Sequence, residues 1–180
     1  AFHGLSRERS DARKYPAIHP LDSWSKYPSV IDLPAVTFAR SYLRRGNEVE
    51  QMMKVVGEEG TSLEDFIVYL KGDFLDAVYL QQNSFDEVDA AASIDRQRYT
   101  FKLILQTLGT NFVFTDKEEA RRWFNATRLL FLDFNYSPWM SDKFKKLESE
   151  IVAALDEKSD GMDPHAEKMI GRIKPVGTAE

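Results

Sequence analysis

The stretch "GEEGTSLEDFIVYL", residues 57 to 70, decides the fold. Two glycines flank a pair of glutamates, and glycine is a poor residue for a helix interior. Just beyond them, Ser62 offers a side-chain oxygen to the first unpaired N–H groups of a helix, and Asp65 sits three residues on, the spacing of a capping box. Phe66, Ile67, Leu70, Phe74 and Ala77 then recur at helical spacing on one face. A helix start follows the glycine pair so closely that "GEEG" reads as the tight loop of a helical hairpin.

Working outward, Val36, Ala39, Leu43, Val49, Met52, Met53 and Val56 recur at intervals that place them on one face of a preceding helix, with Pro34 in its first turn, where the missing N–H is harmless. Gly46 and Asn47 predict a kink or a break in that helix. On the other side of the hairpin, a third helix spans roughly Ile94 to Leu108. "TDKE" opens a fourth, with Thr115 and Glu118 as a capping box ahead of Ala120, Trp123, Phe124, Thr127, Phe131 and Phe134. Ser137 and Pro138 start a fifth, which carries Met140, Phe144, Leu147, Ile151 and Ala154. Each cap contributes only ~1 kcal/mol, but start signals that agree with the apolar periods behind them reinforce one another. The fold class is therefore mainly α, an antiparallel helical bundle over residues 34–158. Residues 1–33, with Pro16, Pro20 and Pro28, read as a short strand and an ordered loop, and residues 159–180 as a tail with a short helix around Met169 and Ile170.

Composition narrows the function. With 24 Lys plus Arg against 29 Asp plus Glu the chain is mildly acidic, so it lacks the overall positive field that nonspecific nucleic-acid binding uses. It holds no cysteine, which removes disulfides, thiolate nucleophiles and cysteine zinc sites and suits a reducing, cytoplasmic setting. No apolar run approaches the ~20 residues of a membrane-spanning helix. The chain opens on "AFHGL" without Met or a signal pattern, as expected of a piece of a longer protein.

Catalytic signatures are missing. No glycine is followed by lysine, so there is no Walker-type phosphate cradle, and no H-E-x-x-H motif occurs. His3, His19 and His165 are scattered, which argues against a metal site. Glu118 and Glu119 sit beside a helix start, where negative charge is favoured by the dipole, and Arg7, Arg9, Arg13 and Lys14 read as a solvated cluster. Two loops stand out for their aromatic residues: "KYPAIHPLDSWSKY", residues 14 to 27, and "QQNSFDEVD", residues 81 to 89. A tyrosine held by a following proline and a phenylalanine from the second loop can grip a flat ring from both faces.

"GLSRERSDARKYPAIHPLDSWSKY" followed by "YLQQNSFDEVD", with a helical hairpin between, resembles the C-terminal part of the catalytic A subunit of V-type and archaeal-type rotary ATPases. The resemblance runs from residue 1 to about residue 108. It implies that Tyr15, directly before "PA", lines one side of an adenine pocket and that Phe85, with Ser84 before it, lines the pocket as well. It also implies that the hairpin loop, through Glu58, Glu59, Glu64 and Asp65, is the acidic surface that pushes on a central stalk; here Gly60, Thr61 and Ser62 replace the usual proline-rich version. ATP or ADP would be held in the intact subunit, with magnesium and phosphates bound by a nucleotide domain lying upstream. The implied partners are the other A and B subunits of a catalytic hexamer and the stalk, at the cytoplasmic face of a membrane reached only through the assembly. Stacking a base on an aromatic contributes ~1 to 3 kcal/mol, so two rings alone would hold ATP weakly. The competing reading is a stand-alone helical interaction module, in which the aromatics belong to the core and the Glu58 to Asp65 loop only links helices.

Overall fold

The apolar periods fold into six α-helices and one short antiparallel ribbon in the computed structural model, which describes residues 32–80 and 94–173. In chain order these are α1 (Leu33–Val56), α2 (Leu63–Leu75), α3 (Ile94–Gly109), β1 (Thr110–Phe112), α4 (Lys117–Tyr136), α5 (Asp142–Lys158), β2 (Ser159–Met162) and α6 (Pro164–Gly171). The expected mainly α bundle is observed. Of the strand and loop expected in residues 1–33, residues 1–31 lie outside the described residues, and Leu33 already belongs to α1.

Helices α1 and α2 form the predicted hairpin, but α1 is neither split nor interrupted at Gly46. The glycine serves packing. A Cβ on Gly46 would lie 3.1 Å from the Cα of Gly72, and one on Gly72 would lie 3.1 Å from the carbonyl oxygen of Tyr42. The two helices cross backbone to backbone at this pair, and the contact outweighs a helix-propensity penalty of about 1 kcal/mol.

The caps were legible, with shifts in register. Ser62 Oγ accepts from the N–H of Asp65 at 3.1 Å, as its spacing predicts. At α4 the cap is Asp116, whose carboxylate accepts from Glu119 N–H at 2.7 Å, and Glu119 reaches back to the N–H of Thr115 at 2.6 Å. The capping residues are thus Asp116 and Glu119, one position beyond Thr115 and Glu118, because the aspartate holds the extended backbone that precedes the first helical turn. Helix α5 begins at Asp142 behind a Ser141 cap, not at Ser137. Ser137 precedes a proline, which disfavours helical backbone, so it closes α4 instead, with its hydroxyl donating to Phe134 O at 2.7 Å. Met140, expected in the core, is exposed and takes a left-handed φ of 57° in the turn between α4 and α5.

The core is aromatic. Phe74 of α2 meets Phe131 of α4 edge-on with centroids 5.0 Å apart, and Phe134 of α4 stacks on Phe144 of α5 at 4.2 Å. Burying each such ring contributes ~1.5–3 kcal/mol. Two buried cations sit at helix ends. Arg96 of α3 donates to the carbonyls of Ser137 at 2.7 Å, Phe134 at 3.0 Å and Asn135, placing its charge against the carbonyl oxygens at the C-terminus of α4. Lys71 of α2 donates to the carbonyls of Leu108 at 2.7 Å and Thr110 at 2.8 Å, over the rings of Tyr42 and Phe112.

Past α5, β2 pairs antiparallel with β1, Thr110 opposite Met162, with an irregularity in register. The short helix expected around Met169 and Ile170 is α6, capped by Asp163. It buries Ala166 and Met169 against α3 and α1, and Arg172 donates to the carboxylate of Asp32, just before α1. Helix α2 itself ends in a π-helical segment, Asp76–Leu80, whose Val78 carbonyl accepts from the Asn135 side-chain amide at 3.1 Å.

Candidate functional site

The tip of the α1–α2 hairpin is a tightly bonded turn whose shape follows from its residues. Gly57 ends α1 by taking φ 78°, and its N–H donates to Met53 O at 2.9 Å. Thr61, buried despite its polarity, donates through Oγ1 to Gly57 O at 3.1 Å and through its N–H to Glu58 O at 3.1 Å. Between them, a Cβ on Gly60 would stand 2.8 Å from Val56 O, so a side chain there would force the turn open. Glu64 and Asp65 occupy the first turn of α2, where the helix dipole favours negative charge.

The four carboxylates of this tip are in different circumstances. Glu58 pairs with Arg121 of α4, Oε2 to Nη2 at 2.6 Å, while Lys117 donates to the Glu58 backbone carbonyl. Arg121 also pairs with Glu118 and lies over the Phe66 ring, 5.2 Å from its centroid. Glu59 and Glu64 are exposed and Asp65 half-buried, and no ion pair engages these three among the described residues. On the α1 side of the tip, Met52, Val55 and Val56 are 39%, 86% and 51% exposed. Sequence periodicity had assigned Met52 and Val56 to the buried face. The stripe instead continues past the packed part of the bundle and leaves an apolar edge beside the acidic turn.

Other ionisable groups brace the fold elsewhere. Lys158 at the end of α5 pairs with Glu119 at 2.7 Å, and this pairing, with the Thr115 N–H and hydroxyl, holds the Glu119 carboxyl down to about 2. Burial pushes the Lys71 ammonium down to about 8, with the like charge of Arg45 adding and Asp163 opposing. His165 packs on Phe38. Among the described residues no group of three or more histidines and carboxylates could hold a metal ion, and no helix is long and apolar enough to cross a membrane. Tyr15, Ser84 and Phe85, the adenine-side residues implied by the resemblance, lie outside the described residues. Arg121 and Lys117 were not singled out from sequence: their partner Glu58 is 63 and 59 positions away, and such pairings leave no local signal.

Fold and site together define a mainly α domain that carries a tightly hydrogen-bonded acidic hairpin tip with an apolar edge. Residues 35–118 match the family described as the C-terminal domain of V and A type ATP synthase, and the chain belongs to that family. It is 65% identical over 170 residues to the V-type ATP synthase alpha chain of Treponema denticola, 94% of this chain and 29% of that relative. Its identity to V-type ATP synthase alpha chain 1 of Treponema pallidum is 58%, over the same shares of the two chains. With the alpha chain of Borreliella burgdorferi it is 59% over 158 residues, 88% of this chain and 28% of the relative. The chain thus spans less than a third of the length of these relatives. The similarity over 170 residues also extends well past residue 118, through the helices that follow the family match.

Proposed function

We propose that the chain is the helical C-terminal part of the catalytic A subunit (alpha chain) of a V-type ATP synthase or ATPase, serving ATP hydrolysis or synthesis coupled to proton or sodium transport. The observation that carries this reading is the 65% identity across 94% of the chain to a V-type ATP synthase alpha chain. In this role the acidic tip faces the central stalk, with Glu58, Glu59, Glu64 and Asp65 as its charged residues and Met52, Val55 and Val56 as an apolar edge. The hydrogen bonds within the turn suit a surface that transmits force, because a turn that deforms under load stores work instead of passing it on. Tyr15, Ser84 and Phe85 line the adenine side of the nucleotide pocket, while ATP or ADP phosphates and magnesium are held by a preceding domain. The partners are the other A and B subunits and the stalk, and the assembly is peripheral at the cytoplasmic face of the membrane.

The test is the native polypeptide. An antibody raised against this chain should detect, in the source cells, a protein of which these 20.7 kDa are about 29%, sedimenting with membrane ATPase activity. In the purified complex, Phe85→Ala should raise KM for ATP. Detection of a soluble 20.7 kDa species alone would overturn the reading.

A further inference from the structure

From the geometry around Glu58 we infer that Arg121 is the positioning residue of the acidic tip, fixing where the turn stands on the bundle so that Glu59 and Glu64 face outward. The inference rests on the stalk-facing reading above for its functional consequence, but its structural part stands on contacts alone. The turn between α1 and α2 is held internally by backbone and Thr61 hydrogen bonds, which set its shape but not its attachment to the rest of the domain. That attachment is made from the first turns of α4. Arg121 Nη2 meets Glu58 Oε2 at 2.6 Å, Lys117 donates to the Glu58 carbonyl, and the guanidinium stays in place because Glu118 binds its other nitrogen and Phe66 lies under its plane. A planar, forked cation between two carboxylates and on an aromatic face has one favourable orientation, which a flexible ammonium lacks.

The support continues backward. The α4 start is itself pinned, through Glu119, to Lys158 at the end of α5. A chain of contacts therefore runs from the tip through α4 to α5. Glu58 is spent on this support, whereas Glu59 and Glu64 are left to a partner. Pushing on the tip would load Arg121 first, so its removal should let the turn swing without unfolding the helices.

The experiment uses the complete alpha chain in its assembled complex, with Arg121→Ala, Arg121→Lys, Arg121→Glu and the exchange Glu58→Arg with Arg121→Glu. Amide hydrogen exchange should speed several-fold at Gly57 to Thr61 in Arg121→Ala while the α2 and α4 interiors keep wild-type rates. Ions transported per ATP hydrolysed should fall several-fold in Arg121→Ala and further in Arg121→Glu, with Arg121→Lys intermediate and the exchange variant recovering much of the loss. Unchanged exchange at the turn in Arg121→Ala, or no recovery in the exchange variant, would overturn the inference. A Glu59→Gln/Glu64→Gln variant separates the two ideas. If it uncouples the complex while Arg121→Ala does not, the positioning role fails and the stalk-facing reading stands. If exchange at the turn responds to Arg121 but neither variant changes coupling, the positioning role stands and the stalk-facing reading fails.

Discussion

Replacing Gly109 by alanine tests how the C-terminal segment is seated. Gly109 ends α3, and a Cβ built there would lie 2.2 Å from the Cβ of Ala166 in α6, against the ~3.5–4.0 Å of an ordinary carbon contact. Well over an ångström of movement is required, and Asp163 N–H is bonded to the Gly109 carbonyl at 2.8 Å, so α6 cannot slide freely. Overpacking of this kind costs ~1–3 kcal/mol. The cost has a ceiling, because α6 can detach, losing mainly the burial of Met169 at ~1.5–3 kcal/mol. The better helix propensity of alanine returns at most ~1 kcal/mol. We expect Gly109→Ala to lose about 1–2 kcal/mol, a fall in Tm of roughly 2–8 °C for a chain of this size. Urea unfolding followed by the fluorescence of Trp123 and Trp139 would measure it, and hydrogen exchange would show α6 amides opening first. Ala166→Gly in the same chain removes the opposing methyl and should recover stability, giving a favourable coupling of about 1 kcal/mol or more in a double-mutant cycle. A single variant as stable as wild type, or a cycle with additive costs, would refute the packing account.

Further outcomes follow from the buried ions and the core. Because the folded chain holds the Lys71 proton less tightly than the unfolded chain, the charged ammonium opposes folding below about pH 8, and this opposition is relieved as pH rises from 8 towards 10.5. Lys71→Met should therefore flatten the pH dependence of urea unfolding across that window. Glu119 behaves in the opposite sense: its lowered carboxyl contributes stability above the usual carboxylate range that is lost as pH falls through about 2, so Glu119→Gln should remove that part of the acid sensitivity seen by circular dichroism. Arg96→Met removes the guanidinium donor from the carbonyls of Asn135 and Ser137, while Phe134 O keeps the Ser137 hydroxyl, and should cost ~2–4 kcal/mol in chemical unfolding, with Arg96→Lys in between. Phe131→Ala, which empties a fully buried site between α2 and α4, should cost ~3–5 kcal/mol in the same assay.

What could be read without coordinates was whatever depends on near neighbours in the chain. Ser62 caps the residue three positions on, Pro34 falls in the first turn of α1, and Phe66, Leu70 and Phe74 are buried at helical spacing, so the mainly α class and the helical hairpin followed from local rules. Even the errors at α4 and α5 were local ones, a choice among adjacent capping residues that periodicity does not resolve. The resemblance carried by the two aromatic loop motifs and the hairpin between them likewise pointed to the family.

The tertiary structure decided whatever depends on residues far apart in sequence. Gly46 reads as a helix breaker until Gly72 is brought against it, and Lys71 and Arg96 read as surface cations until they are seen bonding the open carbonyls of other helices. The β1–β2 ribbon joins segments of three and four residues, too short to show a strand period, so only their juxtaposition makes them strands. At the tip, sequence supplied four carboxylates of equal standing, and folding made them unequal: Arg121 engages Glu58 and leaves Glu59 and Glu64 exposed. The physical reason is common to all of these. Helix propensity, capping and amphipathic period act over a few residues, whereas close backbone packing, burial of charge and pairing across helices exist only once the chain has closed on itself.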